Sequence, residues 1–101
     1  MIIYSVTVKI DLDVHDVWLN WMKEVHIPEV LATGKFVKHK FHRILAENEV
    51  DGISYNVQYY AESISDYFEY RDNFAAALQQ KTINNYEGKF VAFRTLLKEV
   101  E

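Results

Sequence analysis

His26 stands out among the side chains able to move a proton or hold an anion. It is followed by Ile27-Pro28-Glu29, and a proline removes one backbone donor while disfavouring helical geometry at the residue before it. An imidazole at such a disruption can act as a general base or as a donor at the mouth of a cavity. It can equally satisfy the carbonyls that the proline frees. Glu29, three residues on, could orient it. A second group of candidates comprises Asn56, Gln58, Tyr60 and Arg94. These are amide, phenol and guanidinium groups suited to a polar or anionic small molecule, because the arginine fork engages two carboxylate oxygens at once.

The other histidines point away from metal chemistry. His39 and His42 are three residues apart on an expected strand, which puts them on opposite faces and prevents a shared ion. His15 lies among Asp11, Asp13 and Asp16, an acidic helix start that reads as solvated carboxylates opposing the helix dipole. No metal site and no cofactor is expected. The absence of cysteine excludes disulfides, thiolate catalysis and cysteine-based zinc sites. There is no glycine-rich phosphate loop, no Gly-x-Ser-x-Gly elbow and no His-Glu-x-x-His.

Alternation defines the elements that position these residues. Ile2, Tyr4, Val6, Val8 and Ile10 share one face of a first strand, with Ser5, Thr7 and Lys9 on the other. Val14 to about Ile27 has helical spacing, with Val14, Val17, Trp18, Trp21, Met22 and Val25 forming an apolar stripe. Both tryptophans are expected in the core, the alternative being one of them at a cavity wall or dimer seam. Pro28 predicts a kink or break at Ile27, then a short turn from Glu29 to Ala32, closed by Thr33-Gly34. Lys35–Leu45 is expected as a basic edge strand, and Asp51-Gly52 marks a hairpin turn. Ile53–Ala61 alternates cleanly, setting Tyr55, Val57 and Tyr59 against Ser54, Asn56, Gln58 and Tyr60. Ser63-Ile64-Ser65-Asp66 starts a helix that runs to about Tyr86, and Phe90–Val100 is the last strand.

The order βαββαβ, with right-handed crossovers, predicts an α+β ferredoxin-like sandwich over residues 1–101, its four-stranded antiparallel sheet ordered 4-1-3-2. Both helices then cover one sheet face. The uncovered face is expected to carry Ser5, Thr7, Lys9, Ser54, Asn56, Gln58 and Tyr60, joined by Phe90, Ala92, Arg94 and Leu96 from the last strand. Large apolar side chains around a polar middle suggest two copies closing over a partly hydrated cavity, a dimeric α/β barrel. The aromatic content of 15% exceeds what a small core needs and points to a second buried surface, a subunit interface or a ligand cavity.

The 101 residues are 50% hydrophobic and 26% charged, which is globular rather than disordered composition. A net charge of −4 argues against nucleic acid as a partner. Only Tyr60 on the third strand could stack a base in the manner of an RNA-recognition sheet. No apolar run approaches the roughly 20 residues that cross a bilayer. The opening Met-Ile-Ile-Tyr lacks a basic segment and a cleavage site, so a cytoplasmic location and no membrane association are expected.

The segments Trp18-Leu19-Asn20-Trp21-Met22, His26-Ile27-Pro28-Glu29-Val30-Leu31-Ala32-Thr33-Gly34, Val57-Gln58-Tyr59-Tyr60-Ala61-Glu62-Ser63 and Lys89-Phe90-Val91-Ala92-Phe93-Arg94-Thr95-Leu96-Leu97 resemble a short bacterial family known as a domain of unknown function. The resemblance spans nearly the whole chain. It implies a ferredoxin-like fold related to the dimeric α/β-barrel proteins and brings no activity, cofactor or catalytic residue with it. That wider group holds cofactor-free monooxygenases, small-molecule isomerases and ligand-sensing modules, an analogy of fold alone.

The leading expectation is a homodimer, joined through the open sheet face, that binds a polar or anionic small molecule through His26, Asn56, Gln58, Tyr60 and Arg94. One alternative is a cofactor-free monooxygenase or isomerase with His26 as base and Arg94 as anion holder. The other is a structural or protein-interaction module.

Overall fold

The computed structural model describes residues 1–101. Four strands and two helices follow in the order that alternation and capping predict. Strand β1 is Ile2–Ile10 and β3 is Ile53–Ala61, both with the expected bounds. Strand β2 is Lys38–Ile44, shorter at each end than expected, and β4 is Phe90–Lys98. The sheet order is β2-β3-β1-β4 with every neighbouring pair antiparallel, the expected ferredoxin-like arrangement. Helices α1 (residues 15–31) and α2 (residues 64–86) cover one face. Ser63 opens α2, its Oγ accepting from the Asp66 N–H at 3.2 Å.

Pro28 does not break α1. His15–Trp21 is α-helical, Met22–His26 widens into a π-helical turn, and Ile27–Leu31 resumes the α-helix. The Ile27 N–H donates to the Met22 carbonyl five residues back. The wider turn shifts the hydrogen-bond ladder just before the residue that cannot donate, and the backbone stays helical through His26 and Ile27. The expected turn from Glu29 to Ala32 is therefore the last part of a helix, which ends at Gly34 in the left-handed region (φ 77°).

Helix α2 repeats the device. Ile64–Tyr70, a π-helical turn Arg71–Ala75 and Ala76–Tyr86 run on from one another. The buried positions record both turns in the same spacing: Met22, Ile27 and Val30 in α1, and Tyr70, Ala75 and Leu78 in α2. A step of five residues between core positions is one π turn.

The parity of β4 is the reverse of that expected. Ile10 pairs with Phe90, Val8 with Ala92, Val6 with Arg94 and Tyr4 with Leu96. Directly opposed residues share a face, so Phe90, Ala92, Arg94 and Leu96 lie beneath the helices. Val91, Phe93, Thr95 and Leu97 lie on the open face. Both sets mix apolar and polar residues, so alternation alone left the choice open. The register follows from the connection, where the Asp11 N–H donates to the Lys89 carbonyl at 2.9 Å.

The core lies between the helices and β1, β3 and β4. Trp18, Tyr59, Ile10 and Val30 are its largest fully enclosed side chains. At one end, Tyr4, Phe36, Tyr59 and Tyr70 pack ring against ring, with centroids from 4.9 Å (Phe36–Tyr70) to 6.1 Å (Tyr4–Tyr59). Each such pair contributes about 0.5–1.5 kcal/mol beyond its buried area. Trp21 is only partly buried and stands between His26 and Tyr86.

Candidate functional site

Close packing in the core leaves a small space that is partly open to solvent. A cavity of about 40 Å³ lies between the helices and the sheet, where a single water needs roughly 10–15 Å³ by the same kind of measure. Most of its wall is apolar, including Val6, Val8, Val30, Val57 and Ala92. The polar lining comes from every layer. The strands supply Tyr4, Tyr59 and Arg94; α1 supplies Trp18 and His26; α2 supplies Tyr70, Gln79 and Thr82. Arg94 is exposed as well as lining, so it marks the rim.

Four buried side-chain polar atoms in the protein have no hydrogen-bond partner, and three of them, Trp18 Nε1, His26 Nδ1 and Tyr59 Oη, belong to residues lining this cavity. Trp18 is 1% exposed and Tyr59 2%. A buried polar group left unpartnered costs about 1–3 kcal/mol, so three around one space are a departure from ordinary packing.

His26 closes the π turn of α1, and its ring stacks on Trp21 at 4.9 Å between centroids. Burial, reinforced by the positive charges of Arg94 and Lys81 and opposed by Glu29, lowers its pKa to about 4. His26 is therefore neutral at pH 7. Glu29 does not bond to it; its carboxylate takes the Lys81 ammonium of α2 instead. Burial raises the pKa values of Tyr59 and Tyr70, so both remain hydroxyl donors. The Tyr4 hydroxyl accepts from Arg94 Nε at 3.1 Å. No Asp or Glu lines the cavity, and Arg94 forms no ion pair. Its one side-chain hydrogen bond is the one to Tyr4.

The five residues expected to share a pocket divide into two groups. His26 and Arg94 line the cavity beneath the helices. Asn56, Gln58 and Tyr60 face the other way, because strand residues alternate and Arg94 has the opposite parity to that expected. On the open face Asn56 Nδ2 donates to Ser5 Oγ at 2.8 Å and to Thr7 Oγ1 at 3.1 Å. The Tyr60 hydroxyl donates to Gln58 Oε1 at 2.9 Å. The polar middle of this face thus bonds within itself.

Lys38 lies over the Tyr60 ring at 4.6 Å and Lys40 at 5.7 Å. His39 and His42 fall on opposite faces, opposite Tyr59 and Asn56 respectively. His15 is held between Asp16 and the Tyr55 hydroxyl, each at 2.8 Å.

The sequence favours the core for Trp18 and Trp21, with one of them at a cavity wall or dimer seam as the alternative, and sets Tyr59 on the helix-facing side of its strand. Trp18 and Tyr59 are core rings, and nothing in a single sequence signals that their polar atoms go unpaired. Tyr4 and Gln79 were likewise missed as lining residues.

Solved structures share the fold across the whole chain. A protein described as an ethyl tert-butyl ether d (EthD) family protein from Bacillus halodurans C-125 matches with a TM-score of 0.69 at 13% identity, covering 99% of this chain and 100% of that one. A dimeric ferredoxin-like protein from an uncultured marine organism matches with a TM-score of 0.71 at 13% identity, covering 100% and 96%. A candidate monooxygenase from Shewanella loihica PV-4 matches with a TM-score of 0.57 at 10% identity, covering 99% and 95%. At these identities the likeness is one of fold. No curated protein matches the sequence. No helix is long and apolar enough to cross a membrane. Residues 1–100 match the model of the family described as "Domain of unknown function (DUF4286)", and the chain belongs to that family.

Proposed function

We propose that the protein binds a small molecule in the chamber between its helices and sheet, and does so as a homodimer whose open sheet faces meet. The observation that carries the binding reading is the space itself, about 40 Å³ between helices and sheet, lined by His26 and reached from the rim by Arg94, which has no ion-pair partner. The chamber is thus placed beneath the helices, away from Asn56, Gln58 and Tyr60.

The dimer is supported by an exposed apolar strip on the open side of β4, where Val91 is 63% and Phe93 64% exposed. The neighbour from the uncultured marine organism is itself described as dimeric. Lys38, Lys40 and His42 line the opposite edge of the same face. Two such basic edges repel, so the β2 edge of one copy faces the apolar β4 edge of the other.

A cofactor-free reaction is the second reading, favoured by the partly buried His26 beside Arg94. A histidine with a pKa of about 4 accepts a proton poorly at pH 7, so binding is the better-supported role. The test is a metabolite panel followed by thermal unfolding of wild type and Ala92→Leu, which fills the cavity. Ligands of the chamber raise the Tm of the wild type alone. Hits that stabilise both proteins equally bind elsewhere and overturn the reading.

A further inference from the structure

We infer that the two copies of the dimer are held in register by an ion pair that each makes with the other: Glu99, just past the end of β4, reaches Lys38 at the start of the partner's β2. This rests on the open sheet faces meeting. The open face holds three lysines, Lys9, Lys38 and Lys40, and no carboxylate on any of its four strands, although the chain carries a net charge of −4. None of the three lysines is in an ion pair within the chain. Lys38 and Lys40 share the β2 edge, where both are exposed beside the Tyr60 ring.

The opposite edge supplies what they lack. Val91, Phe93 and Leu97 make it apolar and exposed. The Glu99 N–H donates to the Met1 carbonyl at 3.0 Å, which carries the ladder between β1 and β4 one residue beyond Lys98. Alternation then turns the exposed Glu99 side chain to the open side, in line with Phe93 and Leu97. Its one ionic neighbour in the chain is the Met1 amino group, 3.9 Å away. An anionic partner would match the lysines and leave the apolar strip bare; an apolar partner would do the reverse. A second copy satisfies both edges at once, which is the self-complementarity of a two-fold interface.

The strand pairing sets the register. Lys38, Tyr60, Ile3 and Leu97 form one row across the sheet. A two-fold axis along the strands lays the β2 edge over the partner's β4 edge and keeps each row over the same row. Lys38 then faces the partner's Leu97, and the partner's Glu99 is the next residue on that face, about 7 Å further along the strand. Sheets stacked roughly 10 Å apart are close enough for a lysine and a glutamate to span the gap. An axis across the strands would instead lay one basic β2 edge against the other.

The experiment measures the dimer dissociation constant by sedimentation equilibrium, at low and high sodium chloride, for wild type, Lys38→Glu, Glu99→Lys and the double variant. Each single reversal is expected to weaken the dimer at least about tenfold at low salt, because two pairs are lost and two repulsions gained. The double variant restores the pair with its charges exchanged and is expected to return to within about threefold of wild type. High salt is expected to shrink these differences. Both positions are exposed, so circular dichroism should show the wild-type fold throughout. Single reversals that leave the constant unchanged, in a protein that Phe93→Lys still splits, overturn the ion pair and leave the dimer standing. A double variant no tighter than the single ones also overturns it. A wild-type chain that stays monomeric overturns the ion pair together with the meeting of the faces.

Discussion

Arg94 Nε donates to the Tyr4 hydroxyl across 3.1 Å, tying the edge strand β4 to the central strand β1 beneath the helices. Tyr4 is 5% exposed, and burial raises its pKa against the opposing pull of Arg94. Tyr4→Phe removes the acceptor and leaves the ring. It is expected to cost about 1–2 kcal/mol in urea unfolding and to loosen Arg94, seen as averaging of its Nε–H signal. An unchanged Nε–H signal would show that Tyr4 does not hold the guanidinium.

The lowered pKa of His26 makes stability depend on pH. Unfolded, the imidazole titrates near 6.5; folded, near 4. Above pH 6.5 both states are neutral and nothing is lost. As pH falls from 6.5 towards 4, the unfolded chain takes up a proton that the fold refuses, and stability drops. Below about 4 the loss is complete, at up to about 3 kcal/mol. Wild type should therefore lose more stability than His26→Gln between pH 7 and pH 4. Parallel pH profiles for the two proteins would refute the assignment.

Tyr59 offers the opposite kind of test. Its hydroxyl is enclosed and unpartnered, so Tyr59→Phe breaks no bond within the protein. Unfolding free energy is expected to rise or to stay within about 0.5 kcal/mol of wild type. A loss of 2 kcal/mol or more would mean that the hydroxyl has a partner in solution.

Phe93 tests the open face. Light scattering at micromolar concentration is expected to give twice the 11.9 kDa chain mass. Phe93→Lys puts a charge in the middle of the apolar strip and is expected to give the single-chain mass with an unchanged fold by circular dichroism. A wild-type monomer, or a Phe93→Lys dimer, would remove that interface.

Much of the architecture was legible because β1 and β3 alternate strictly, and strict alternation allows one orientation against a core. The candidate site was less so, for two physical reasons. In β4 the sets Phe90-Ala92-Arg94-Leu96 and Val91-Phe93-Thr95-Leu97 are nearly equal in apolar content, and only the register with Ile10 and Val8 decides between them. That one choice moved Arg94 from Asn56 and Gln58 to His26. In α1 the proline suggested a break, since propensity rules describe the ordinary helix and not the widened turn that accommodates it. The isolation of Trp18 Nε1 and Tyr59 Oη is a property of three-dimensional packing that residue types alone do not encode.

The paired π turns also set how tightly chain length is governed. Each residue of an ordinary helix advances the side-chain direction by about 100°. Deleting one position from Met22–His26 would restore regular winding with Ile27 and Val30 four and seven residues after Met22, still facing the sheet, and deleting one from Arg71–Ala75 would likewise keep Leu78 there, whereas a deletion in the ordinary turns before either segment would swing the residues ahead of it about 100° off the sheet. The hairpin around Asn48 and Val50 is exposed and bears no such phase. Natural variation in length belongs there and, one residue at a time, at the two π turns.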